Sequence, residues 1–194
     1  MEAFSDGVFS IASTLLVLDI ALRPPGPPLE QLWRAWPAYL GYLVSFLTIG
    51  AAWLAHSAMT DRLKSADTLL LRINLLLLLV IAFLPFPTKL VAEALHNVEG
   101  ERAFVTLYGL TLLSIRLLGY ALDAYARRER LYTTDPVGEV SRSERRSLLQ
   151  MVAAYLVAIL VGMLFPALAV GLYFALAVVL VVPFRDLRRL FRPT

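Results

Sequence analysis

The chain contains no cysteine, which excludes disulfides and thiolate metal sites. Charge is scarce as well. Asp, Glu, Lys and Arg make up 17% of the 194 residues, against about a quarter in an average soluble domain. Apolar residues take their place at 59%, and the mean hydropathy is +0.70. There are two histidines, no Gly-rich phosphate loop, no nucleophile elbow and no His-Glu zinc motif. With so few clustered reactive groups, no enzyme, no metal centre and no cofactor are expected. The net charge is only +3, and the basic residues flank apolar runs. They read as membrane topology signals, and no nucleic-acid partner is expected. The start, Met1-Glu2, lacks a basic segment, and no small-residue cleavage site follows the first apolar run. A removable signal peptide is therefore not expected.

What the chain does have is long apolar runs, six of them. They cover about Phe4 to Leu22, Trp33 to Met59, Ala66 to Leu84, Ala103 to Tyr125, Ser147 to Phe165, and Ala167 to Val182. The first, at about 1.5 Å per helical residue, just spans a hydrocarbon core of about 30 Å. It ends at Arg23-Pro-Pro-Gly-Pro-Pro28, which cannot continue a helix. Leu84-Pro-Phe-Pro-Thr88 breaks the third near its far end, and Pro166 forces a tight hairpin between the fifth and sixth. Backbone groups in lipid must be bonded internally, so a spanning segment is a helix or part of a closed barrel. Leu75-Leu-Leu-Leu-Leu-Val-Ile81 does not alternate polar and apolar residues as barrel strands do. The predicted fold is all-α: an integral membrane protein with six transmembrane helices, built as one domain over residues 1–194, with the lipid bilayer as its surroundings.

Six spans place both termini on one side. That side would carry Arg62, Lys64, Arg127, Arg128, Arg130, Arg142, Arg145, Arg146, Arg185, Arg188, Arg189 and Arg192. The other would carry only Arg23, Arg34, Lys89 and Arg102. By the positive-inside rule both termini are cytoplasmic in a multi-pass cell-membrane protein. His56 and His96 then fall on opposite sides, which removes a shared metal site.

The first apolar run carries Ser5, Asp6, Ser10, Ser13, Thr14 and Asp19, more polar groups than an anchor needs. At 100° per residue, Phe4, Gly7, Ile11, Leu15, Leu18 and Leu22 form one stripe, flanked by Val8 and Thr14, with Asp6 and Ser13 opposite. The aliphatic row either meets lipid or core, or lines a narrow pore that gates by dewetting. Asp6 either caps the helix start or pairs across to His56, which lies at the same predicted depth. Asn74 lies somewhat deeper, so Asp6, His56 and Asn74 are expected to form a polar cluster that fixes helix 1. Arg116, inside the fourth helix, requires a partner or a path to the interface, and Asp123 is the candidate.

Phe4-Ser-Asp-Gly7 followed by Val8-Phe-Ser-Ile-Ala-Ser-Thr-Leu-Leu-Val-Leu18 resembles the transmembrane protein 175 family of potassium channels. Trp53 and His56, as Trp-x-x-His near the end of helix 2, Asn74 early in helix 3, and Leu84-Pro-Phe-Pro-Thr88 match as well. The resemblance implies a single six-helix repeat that assembles as a homotetramer, with helix 1 of each subunit lining the pore. It puts the constricting aliphatics on Ile11, Leu15 and Leu18, and a selectivity threonine on Thr14. It puts Ser5, Asp6, Trp53, His56 and Asn74 in the network that anchors helix 1. The family's arginine six residues before the motif aspartate has no counterpart here, since that position would precede Met1.

The expectation is a potassium-selective channel that conducts potassium ions passively. No Thr-Val-Gly-Tyr-Gly filter occurs, so selectivity would reflect pore diameter and the lower dehydration cost of potassium. The alternative is a proton-coupled secondary transporter or a proton-conducting channel, with Asp6 and His56 as the relay. The paired repeats and broken mid-membrane helices common in transporters are not evident in the sequence.

Overall fold

In the computed structural model, residues 1–20, 26–95, 101–133 and 142–181 are described. Leu22, Arg23, His96 and the basic tail with Arg185, Arg188, Arg189 and Arg192 lie outside the described residues. So do the side chains of Asp19 and Arg142. Helix α1 covers Glu2–Leu15 and runs into a 3-10 turn, Leu16–Asp19. A short helix α2, Pro28–Arg34, precedes α3, Trp36–Thr60. Then follow α4, Thr68–Phe83; α5, Pro85–Ala94; α6, Glu101–Arg128; α7, Arg142–Gly162; and α8, Pro166–Val181. Among the described residues there is no strand, only an isolated antiparallel bridge between Leu63 and Tyr132.

Four helical stretches are long and apolar enough to cross a membrane: Trp36–Thr60, Thr68–Ala94, Arg102–Arg128 and Arg145–Gly162. The shorter Pro166–Val181 is also apolar. Helix 1 differs from its expected extent, because the α-helix stops at Leu15. Its 14 residues rise about 21 Å, and the four of the 3-10 turn add about 8 Å. The tighter turn thus stretches the element to about the thickness of a hydrocarbon core.

The Leu84-Pro-Phe-Pro-Thr88 run kinks its helix instead of ending it. Leu84 keeps helical backbone angles, φ −55° and ψ −37°. Pro85 therefore starts α5 at the position where a missing N–H costs nothing. Thr88 repairs the junction, its amide and its hydroxyl both donating to the Leu84 carbonyl, at 3.2 and 2.8 Å. The same hydroxyl lies 2.7 Å from Ser45 Oγ, which lies 2.8 Å from the Tyr108 hydroxyl. This fully buried chain of hydroxyls joins α5, α3 and α6. Beside it, the rings of Tyr108, Tyr155 and Tyr173 pack together, with centroids 5.7 Å (Tyr108–Tyr173) and 6.5 Å (Tyr155–Tyr173) apart.

The helices α3 to α8 make up the packed body, with α3 against α5, α6 and α8. Helix α1 lies on one flank, held by α3 and α4, and its 3-10 turn rests on α3 and α5. The loop after α3 is stitched to the loop after α6. Lys64 N–H donates to Leu131 O at 2.9 Å, Thr133 N–H donates to Arg62 O at 2.8 Å, and the Arg62 guanidinium sits 5.0 Å from the Tyr132 ring centroid.

Asp67 caps α4, accepting from Leu70 N–H at 2.8 Å and from the Tyr125 hydroxyl at 2.6 Å. The Tyr125 hydrogen bond first, and the Leu70 amide second, hold its carboxyl below the usual carboxylate range. A depressed folded-state value means the contribution is complete above the ordinary value, about 4, and is lost as pH falls through the depressed one. Thermal melts of purified protein should therefore lose part of their acid sensitivity below about pH 4 in Asp67→Asn. A wild-type acid profile in that variant would remove Asp67 from the account.

Candidate functional site

The two faces of α1 are sharply unequal. Ser5, Phe9, Ala12 and Leu16 recur at helical spacing and are all buried. They form the face turned to α3 and α4. On the outer side stand Phe4, Gly7, Ile11, Leu15 and Leu18, with Ile11 61%, Leu15 43% and Leu18 74% exposed. Val8, at the edge of that row, is half-buried against the core.

The outer face is not purely apolar. Ser10 and Thr14 are exposed on it. The Thr14 hydroxyl donates back to Ile11 O at 2.9 Å and to Ser10 O at 3.1 Å, and Ser13 Oγ donates to Ser10 O at 2.9 Å. With its proton committed inward, the Thr14 oxygen presents lone pairs outward, toward anything electropositive.

The buried side of α1 is fixed by two separate polar contacts. In the first, His56 Nε2 lies 2.7 Å from Asn74 Oδ1, and Asn74 Nδ2 donates to Ser5 Oγ at 3.1 Å. Ser5 Oγ in turn donates to Met1 O at 3.1 Å. Because the Asn74 amide nitrogen donates to Ser5, its oxygen is the acceptor, and Nε2 of His56 carries the proton. The Phe9 ring packs on His56 with centroids 5.5 Å apart. In the second contact, Trp53 Nε1 donates to Asp6 Oδ1 at 2.9 Å.

The expected pairing of Asp6 with His56 is therefore corrected. Asp6 sits at the edge of the buried face and reaches Trp53, whereas Ser5, one residue back, points at Asn74. Nor does Asp6 cap the helix, which begins at Glu2 after Met1 with no side-chain cap. The pairing of Arg116 with Asp123 is corrected too. Asp123 accepts from Arg127 at 2.8 Å and from the Tyr132 hydroxyl, and lies 3.8 Å from Arg62. Arg116 and Asp123 lie seven residues apart on one helix, about 10 Å along its axis. Sequence reasoning placed Trp53 in the helix-1 network by resemblance alone. It missed the Ser45–Thr88–Tyr108 hydroxyl chain, whose signal was a serine and a threonine inside strongly apolar helices. No group of acidic, histidine or cysteine residues that could hold a metal occurs among the described residues.

Removal of the Asn74 side chain should loosen α1. An Asn74→Ala variant leaves His56 Nε2 buried without its acceptor, at a cost of about 1–3 kcal/mol. The melting temperature should fall by about 2–4 °C per kcal/mol for a chain of this size. An unchanged melt would show that the Ser5–Asn74–His56 bonds add nothing to the fold.

An all-helical chain with several membrane-crossing helices and a first helix held on one flank only is a multi-pass helical membrane protein. A family model described as endosomal/lysosomal potassium channel TMEM175 matches residues 1–85. The solved structure of a lysosomal potassium-selective channel TMEM175 homolog from Chamaesiphon minutus superposes with a TM-score of 0.75 and 32% identity, covering 96% of this chain and 95% of that one. The chain belongs to the TMEM175 family. It is also 41% identical over 126 residues to a potassium channel of Streptomyces collinus (strain DSM 40733 / Tue 365), spanning 63% of this chain and 61% of that protein. To the endosomal/lysosomal proton channel TMEM175 of Gallus gallus it is 29% identical over 166 residues, 80% of this chain and 33% of that one. The matched stretch is thus about three fifths of the first relative and a third of the second.

Proposed function

We propose that this chain is a potassium channel, not an enzyme, in which four copies surround a pore lined by α1. In this reading residues 1–194 form one six-helix transmembrane domain, with α1 and its 3-10 turn as the first span and α8 as the last. The observation that carries it is the free face of α1. A row of aliphatic side chains with an exposed hydroxyl pair beside it lies on an element with neighbours on one side only. Lipid would accept Ile11, Leu15 and Leu18 but gains nothing from Ser10 and Thr14. One copy cannot enclose a path, whereas a closed ring of copies puts the same row around a common axis.

Rings of Ile11, Leu15 and Leu18 then constrict the path, and a dehydrated ion passes them with little coordination. Thr14 supplies outward lone pairs at the edge of that constriction. Selectivity follows from pore diameter and from potassium shedding water more cheaply than sodium. The Ser5–Asn74–His56 bonds and the Asp6–Trp53 bond hold the helix to its own subunit. Both termini are cytoplasmic in the cell membrane, on the strength of the basic-residue asymmetry. Potassium-channel names among the relatives support the ion.

The test is flux. Purified protein in liposomes should pass potassium down its gradient, without saturation and without a pH gradient, and faster than sodium. The second reading is proton conduction, favoured by the names of the animal relatives. Proton movement without potassium movement would establish it, and saturable flux that needs a pH gradient would point to a coupled transporter.

A further inference from the structure

Away from α1, a cavity of about 460 Å³ opens between α3, α6 and α7. The Arg116 guanidinium lines it, with Nε and Nη2 both buried and without a hydrogen-bond partner. Arg116 lies twelve residues before the end of α6, about 18 Å along the helix. A cation at that depth without a partner is costly, so a purely apolar pocket does not account for it. The Tyr155 hydroxyl is beside it, but neither group makes a hydrogen bond of acceptable geometry, and a phenol carries no charge to offset the cation. Asp123, the acidic group lining the cavity, is committed to Arg127, Tyr132 and Arg62. Arg62, Arg116 and Arg127 thus face a single carboxylate there.

The two unbonded nitrogens define what fits. Nε and Nη2 form one edge of the guanidinium, the edge that grips two oxygens of an oxyanion side by side. His56 lines the same cavity, and its Nδ1 is buried and unbonded too. Since Nε2 holds the proton, Nδ1 accepts. The complement is an oxyanion with a hydroxyl donor close by. The walls between these points are apolar, built from Ala52, Leu77 and Ile115 among others.

We propose that this cavity is a binding site for a phosphate group with a neighbouring hydroxyl. Arg116 holds two phosphate oxygens, His56 Nδ1 accepts from the hydroxyl, and Arg62 and Arg127 supply positive potential at the mouth. A glycerol-phosphate lipid headgroup and free hydrogenphosphate both have this chemistry. His56 also bonds the asparagine that holds α1, so an occupant here touches the anchor of that helix.

The experiment is thermal unfolding of the full chain in detergent. Three additions are compared: phosphatidylglycerol, phosphatidylcholine at equal concentration, and inorganic phosphate. Phosphatidylglycerol raising the melting temperature above the phosphatidylcholine level assigns a lipid source, and a rise with inorganic phosphate assigns a soluble one. Arg116→Gln should weaken that response by about tenfold or more in half-saturating concentration. Gly119→Leu offers a second variant that does not touch the arginine. Gly119 lines the cavity, and a β-carbon there meets nothing within 4 Å, so the larger side chain fills the site without straining the helix. It should abolish the response even where Arg116→Gln does not fold. Equal responses to the two lipids with none to phosphate overturn the proposal, as does wild-type binding by Gly119→Leu. The readout involves no ion flux, so its failure and the failure of the channel reading are separable.

Discussion

Ile11→Asn should raise potassium flux into liposomes by about tenfold and lower the preference for potassium over sodium. In the proposed ring, Ile11 is the first aliphatic constriction along α1, and its side chain offers no oxygen to an ion stripped of water. An asparagine puts an amide oxygen and a wettable surface at the same place in every subunit. A barrier lower by about 1.4 kcal/mol is a tenfold rate, a small demand on several new ion–dipole contacts. Easier wetting removes the cost that favours potassium, so discrimination falls as conductance rises. Leu15→Ala widens the next ring and should act in the same direction. Leu79→Asn is the control. Leu79 is as exposed as Ile11 but on α4, away from the proposed axis, and should leave conductance per channel unchanged. Unchanged flux and selectivity in Ile11→Asn would return the α1 row to lipid.

Gly109→Ala should destabilise the protein more than the same change at any other described glycine. Gly109 is buried in α6, and an added β-carbon would collide with the Tyr173 hydroxyl and lie 2.7 Å from Ile159 Cγ1. Tyr173 cannot swing aside. Its ring is packed against Tyr108 and Tyr155, and its hydroxyl reaches toward Val105 O. Overpacking of this kind costs about 1–3 kcal/mol, which for a chain of this size is a melting temperature lower by about 2–12 °C. The better helix propensity of alanine offsets about 1 kcal/mol at most. Tyr173→Phe in the same chain removes the colliding atom and should restore much of the loss. A wild-type melt for Gly109→Ala would mean that α6 and α8 can separate without cost.

The helical class, the turn at Pro166 and the two-faced character of α1 were legible because each is a matter of period or of a residue that cannot be helical. A stripe at 100° spacing separates Ile11 and Leu15 from Phe9 and Ala12 wherever the helix is placed. The partners across helices were not legible. Asp6 and Ser5 are adjacent, but consecutive residues on a helix point about 100° apart. Which of them meets His56, Asn74 or Trp53 depends on the rotation of α1 against α3, which no local pattern records. Pro85 misled for a different reason. Proline forbids a donor and strains the turn before it, but Thr88 supplies both of its donors to Leu84 O, so the helix bends and continues. Arg116 was legible as an anomaly. Its setting was not, since a cavity between α3, α6 and α7 exists only after three distant segments have packed.

Helix α1 is fastened by few contacts on one flank, and its other flank is the proposed path. Two sets of demands therefore fall on a helix of 14 residues, and they are read at different stages. Ser5 and Phe9 are judged when a single chain folds. Ile11 and Leu15 are judged only after copies meet, and then by every copy at once. A defect on the first face should be visible in a lone chain and recessive in a mixture, because impaired chains drop out before assembly. A defect on the second face should pass folding unnoticed and spoil each ring that admits it. The dominance of a substitution in mixed populations thus reports which side of this helix it occupies.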